Sequence, residues 1–110
     1  ATNDVVAFAT SDKRLKENIL PIPWAVEKVS RISGNTFDWK ELSTEEVKTI
    51  HGNVGKDVGV IAQEIEDVLP EAVTTRENGY KAVNYEKIIP LLIEAIKDQQ
   101  RQIDELKRKI

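Results

Sequence analysis

The chain has 110 residues, 40% apolar and 32% charged, with a net charge of −3, a balance that suits one soluble globular domain whose small core would gain from an oligomeric partner. Sixteen basic residues interleaved with nineteen acidic ones leave no basic stripe for nucleic acid. The absence of cysteine excludes a disulfide scaffold, a thiolate metal site and a thiol nucleophile, and one histidine, His51, cannot build a His-rich zinc site. No apolar run approaches the roughly 18 residues of a membrane span, so neither a metal, a cofactor nor a membrane is expected.

Residues 1–10 read as a strand, with Val5, Val6 and Phe8 and no helix start. Residues 22–33 read as a helix: Ile22, Val26, Val29 and Ile32 share a face, Pro23 suits the first turn, and Gly34 comes next as a stop. Thr36 to Lys40 alternate as a strand with Phe37 and Trp39 on one side. Ser43 and Glu46 have capping-box spacing for a short helix through Ile50, closed by Gly52 beside His51. The 34–57 segment, with Gly34, Gly52 and Gly55 at its flanks, is expected to project as an arm. Trp24 and Trp39 are expected to anchor the core.

Lys56 to Ile61 form a β-branched run, and Ala62 to Leu69 continue as a helix that stops at Pro70, with Gln63 and Glu64 in its first turn. Ala72–Thr75 and Tyr80–Tyr85 are two short strands. Asn78-Gly79 between them signals a hairpin, because both residues tolerate positive φ. Asn84 precedes the long C-terminal helix and is placed to cap it.

From about Glu86 to Ile110 the pattern is a heptad. Ile89, Ile96, Ile103 and Ile110 are seven apart, and Leu92, Gln99 and Leu106 lie three after the first three of them. Such a seam has to meet another helix, either within its own domain or in another copy. The second reading is favoured, because residues 97–110 are polar off the seam and only a narrow stripe can be buried. Ile at a with Leu at d leans toward two strands, and Gln99 tunes register or oligomer state; the heptads alone leave dimer and trimer open.

One place joins a nucleophile to a possible base: Ser11-Asp12-Lys13-Arg14-Leu15-Lys16. A serine hydroxyl needs a neighbour to take its proton. A lysine does so only when neutral, which requires burial or nearby positive charge. Lys13 and Arg14 supply such charge, and residues five apart face each other if the chain turns between them. The simpler reading of the same residues is an exposed turn with solvated charges. Asp12 likewise either orients Lys16 or Ser11, or stabilises the turn.

Residues 11–19, Ser11 to Ile19, resemble the S-D-x-R-L-K-x-N-I opening of the peptidase S74 family, the self-cleaving intramolecular chaperones of phage tail fibres and tailspikes. The resemblance continues at Val58-Gly59-Val60-Ile61-Ala62-Gln63-Glu64-Ile65, at Leu69-Pro70-Glu71-Ala72-Val73, at Val83-Asn84-Tyr85 and at Leu91–Lys97, in family order and spacing. It implies a homotrimer that brings three upstream fibre domains of the same polypeptide into register and then cuts itself off. Ser11 would be the nucleophile and Lys16 the general base. Residues 1–10 would be the end of the upstream fibre, 11–85 the chaperone and autoprotease core, and 86–110 the coiled-coil helix of a trimer, an α+β fold.

The bond that the resemblance implies is cut flanks Ser11. Attack on the preceding carbonyl passes through a five-membered ring and points to Thr10–Ser11, whereas Ser11–Asp12 requires a neighbouring chain, activated water or special geometry. The resemblance also implies a protein made in the host cytoplasm, with its upstream fibre bound for the virion tail and this domain released. Other function classes remain: a trimerisation module that never cuts, a coiled-coil adaptor, or the related self-cleaving domain of a membrane-tethered transcription factor, which a downstream membrane helix or an upstream DNA-binding domain would mark.

Overall fold

The computed structural model describes residues 8–41 and 55–110. Its elements run α1 (Ala25–Ser30), β1 (Asn35–Asp38), β2 (Lys56–Gly59), α2 (Ala62–Val68), β3 (Val73–Thr75), β4 (Lys81–Val83) and α3 (Ile89–Arg108). Single 3-10 turns stand at Lys13–Leu15, Pro70–Ala72 and Tyr85–Ile88. This is a mixed α and β fold; the described strands form two separate antiparallel pairs, β1 with β2 and β3 with β4.

Helix α1 is shorter than the 22–33 expected. Ile22 precedes Pro23, and a residue before proline is pushed out of the helical region. Trp24 then adopts a left-handed φ of 50°, so helical geometry begins only at Ala25. At the other end the helix closes as Arg31 donates its N–H to the Lys28 carbonyl and Ile32 donates its N–H to the Val29 carbonyl, before Gly34 is reached. The same turn overturns the expectation for Trp24. Ala25 takes the buried place at the start of α1, and Trp24 is 69% exposed. Trp39, by contrast, is half-buried, with its ring edge-on to Phe37 at 5.0 Å, as two aromatics on one strand face allow.

The core is built around the first third of α3. Leu91 and Ala95 meet Ala25 of α1 and Val68 of α2, while Ile65, Ala72 and Ile88 form a second cluster. Ile32 and Leu69 pack on both clusters and join them. Leu91 and Ile65 are fully buried, and burial of such a side chain contributes about 1.5–3 kcal/mol. Helix α2 opens at Ala62 and ends just before Pro70, as expected, and Asn84 caps the turn before α3 by accepting from the Glu86 N–H.

In the β3–β4 hairpin only Gly79 takes positive φ (87°); Asn78 does not. Gly79 donates its N–H to the Arg76 carbonyl, and the Asn78 side chain accepts from the Tyr80 N–H. Asn78 thus serves the turn through its side-chain acceptor rather than through a left-handed backbone. The stem of the expected 34–57 arm is the β1–β2 ladder, pairing Asn35 with Gly59 through Asp38 with Lys56. Ser43, Glu46, Ile50, His51 and Gly52 lie outside the described residues, as do residues 1–7. Residues 8–10 are not a strand.

The single chain exposes 9447 Å², whereas a compact monomer of this mass exposes about 6,100 Å². Its radius of gyration is 18.1 Å, against about 13 Å for a compact chain of this length. Large apolar side chains on α3 are among those exposed. The seam residues Ile89, Leu92, Ile96, Ile103 and Leu106 are 41 to 65% exposed, and Ile110 lies just past the end of α3.

Candidate active site

The chemistry-bearing segment lies before α1, and residues 8–20 are exposed along their whole length. A short turn folds it back on itself. Asp12 is the cap: its carbonyl accepts from the Leu15 N–H at 3.1 Å, and its carboxylate accepts from the Arg14 N–H at 2.9 Å. The Lys16 N–H then donates to the Lys13 carbonyl at 3.0 Å, closing the Lys13–Leu15 turn. The two residues flanking this turn and its cap are therefore brought together, and Lys16 Nζ donates to Ser11 Oγ at 2.7 Å.

That separation lies at the short end of hydrogen-bond geometry. A line of this length serves two directions. An ammonium donates along it to the hydroxyl oxygen, and a neutral amine accepts the hydroxyl proton and leaves an alkoxide ready to attack.

Arg14 has its own partner in Asp12. Its guanidinium forks onto Asp12, Nε to Oδ1 at 3.1 Å and Nη2 to Oδ2 at 2.9 Å. The guanidinium and then the Arg14 N–H hold the Asp12 carboxyl below its ordinary value. The expectation that Arg14 acts as a positive neighbour of Lys16 misses this partner. The signal for it is the i, i+2 spacing of an aspartate cap and an arginine.

Around the turn stand large exposed apolar side chains: Phe8, Leu15, Ile19 and Leu20 are 59 to 94% exposed. Asn18 bends the chain between the turn and these last two, at a φ of 55° that asparagine tolerates better than most residues. Thr10, Ser11 and Asp12, the residues of the expected cut, sit in this open stretch.

Away from the turn, a cleft of about 630 Å³ opens between the two strand pairs, with Phe37, Trp39, Val60, Tyr80, Val83 and Tyr85 among its lining. Tyr85 is fixed there because its Oη accepts from the Val60 N–H at 3.1 Å. It lies so close to Gly59 that a Cβ on that residue would come within 2.5 Å of Oη. Tyr85 and Gly59 were visible in the sequence only as parts of motif blocks. Glu64 accepts from Ser33 Oγ at 2.7 Å, tying the first turn of α2 to the segment before β1. The seam residues of α3 lie together on an exposed stripe beside the one that carries Leu91 and Ala95, which pack with Ala25 of α1.

The sequence matches the peptidase S74 family, described as chaperone of endosialidase, over residues 11–74. The chain belongs to the peptidase S74 family. The match begins at Ser11 and takes in the turn, α1, both strands of the first pair and α2. Longer similarities carry on through α3. Long tail fiber protein Gp37 of Enterobacteria phage K3 is 35% identical over 108 residues, covering 94% of this chain and 8% of that protein. The Gp37 of Enterobacteria phage M1 is 36% identical over 111 residues, 96% of this chain and 41% of its own length. That of Salmonella phage S16 is 33% identical over 104 residues, 92% and 14% respectively. The chain thus spans less than half the length of these fibre proteins. Among the described residues of this S74 chain no His, Asp and Glu cluster is arranged to hold a metal ion, and no helix is long and apolar enough to cross a membrane.

Proposed function

We propose that this chain is the assembly module of a phage tail fibre, which associates as a trimer and then severs itself at Ser11. The observation that carries the reading is the 2.7 Å contact between Lys16 Nζ and Ser11 Oγ, in a chain of the S74 family. Three α3 helices joined along Ile89, Leu92, Ile96, Gln99, Ile103, Leu106 and Ile110 align three upstream chains. Intertwined β-rich stalks pair residues far apart in sequence, a slow process that alignment accelerates, and tethering raises the effective concentration of each chain for the others.

In the cut, neutral Lys16 takes the Ser11 hydroxyl proton as Oγ attacks the Thr10 carbonyl carbon. The Thr10–Ser11 C–N bond breaks, and the proton passes from Lys16 to the departing Ser11 amine. Water then hydrolyses the resulting ester, leaving a carboxylate on Thr10 and restoring the Ser11 hydroxyl. The exposure of the whole 8–20 segment links this step to assembly. A lysine becomes a base at neutral pH when water is removed from around it, and the apolar side chains beside the turn offer a neighbouring copy a surface to cover. The upstream fibre then belongs to the virion tail, and the module is released.

Intact-mass spectrometry of the chain extended by its native upstream stalk tests this reading, beside Ser11→Ala and Lys16→Ala. Wild type is expected to give two fragments, with Ser11 the new N-terminus, while both variants stay whole and still sediment as trimers. A well-assembled wild-type trimer that never cuts would leave a folding module without protease activity.

A further inference from the structure

Because residues 8–20 are exposed along their length, no burial within the chain dictates how Lys16 returns to Ser11. Polar contacts have to do it, and those of the turn converge on Asp12. Its carbonyl receives Leu15, and its carboxylate receives the backbone and both arms of the Arg14 side chain. We propose that Asp12 and Arg14 act as one clamp that positions the Ser11–Lys16 pair, a role that rests on the self-cleavage reading above.

Two arguments support it. The first is geometric. Ser11 immediately precedes the cap and Lys16 immediately follows Leu15, so the turn that Asp12 holds sets the distance between Oγ and Nζ. A misplacement of about 1 Å between reacting groups can cost about a hundredfold in rate. The second concerns charge. A carboxylate beside the nucleophile is a ready partner for a lysine side chain. Here both of its oxygens are engaged by Arg14, and Nζ rests on Ser11 Oγ instead. The charged groups of the segment are Asp12, Lys13, Arg14, Lys16 and Glu17, and among the described residues its one ion pair is Asp12 with Arg14. An exposed pair of this kind adds little to global stability, so its effect belongs to the rate.

The test is the first-order rate of self-cleavage of the stalk-extended chain, measured alongside sedimentation. Asp12→Ala and Arg14→Ala are each expected to cut about tenfold or more slowly as intact trimers. The double variant is expected to be no slower than the slower single one, because the two side chains act as a unit. Asp12→Asn keeps an oxygen for the Arg14 N–H and guanidinium, and restores most of the rate lost in Asp12→Ala. Wild-type rates in Asp12→Ala, or losses that multiply in the double variant, overturn the clamp while leaving the dyad intact. Failure of Asp12→Ala to form trimers also overturns it, by making Asp12 an assembly residue. If Ser11→Ala cuts like wild type, the dyad reading itself falls and the clamp falls with it.

Discussion

The reactive segment and the body of the domain are held by opposite means. Residues 8–20 leave every side chain exposed, and their path is drawn by hydrogen bonds around Asp12. The described residues of the body are held by apolar burial around Ile65 and Leu91. Polar contacts in water are individually weak but directional, and apolar burial is strong but indifferent to direction. The division therefore separates what sets reaction geometry from what supplies stability, and each should be breakable alone.

The largest effect comes from the element that serves both regions, α3. Ile103→Asp places a charge in the outward seam and is expected to abolish the trimer, and cleavage with it, while circular dichroism still reports a folded body. Leu91→Ala on the inward face does the reverse: it costs about 2–5 kcal/mol of stability, visible as a lower melting temperature. Equal loss of folding in both variants would erase the distinction between the two faces.

A smaller effect sharpens the comparison inside the body. Gly59→Ala drives a Cβ to 2.5 Å from Tyr85 Oη and should cost about 1–3 kcal/mol, as overpacking commonly does. Adding Tyr85→Phe removes the clashing oxygen and recovers part of that loss in a denaturant titration; no recovery would assign the cost to the glycine backbone alone.

The smallest effect is pH-dependent and confined to the reactive segment. Asp12 is held below its ordinary value of 3.8, first by the Arg14 guanidinium and then by the Arg14 N–H. A depressed folded value means that the clamp is fully present above that ordinary value and is lost as pH falls through the lower folded one. Carbon-detected NMR of the Asp12 carboxyl should show no change from about pH 8 to 5, well above the carboxylate range, and a midpoint below 3.8. A midpoint at or above the ordinary value would mean that the fork does not persist in solution.

What was legible in the sequence divides along the same line. Helix α2, the hairpin at Asn78-Gly79 and the α3 heptads announce themselves through periodicity and turn chemistry, which act over a few residues. Ser11 and Lys16 were legible through their spacing and through family resemblance. The unread features depend on conformations or partners that no local pattern encodes. A tryptophan in the left-handed region shortened α1 and carried Trp24 out of the core, where hydrophobicity alone would have kept it. The fork of Arg14 onto Asp12 gave that arginine a partner that the sequence reading had not named. The approach of Tyr85 to Gly59 joins residues 26 positions apart, which spacing cannot reveal.

The two faces of α3 have a consequence for the lifetime of the module. In the proposed assembly one helix is both the floor of each subunit's core and the surface that copies share, so folding and association would draw on the same element, and the stability of the body would depend on protomer concentration. While the fibre still joins the copies, that concentration is set by the tether. After the proposed cut at Thr10–Ser11 it would be set by the surrounding volume. On that reading the cut would turn an intramolecular equilibrium into an ordinary one, and dilution alone would favour the spent module coming apart.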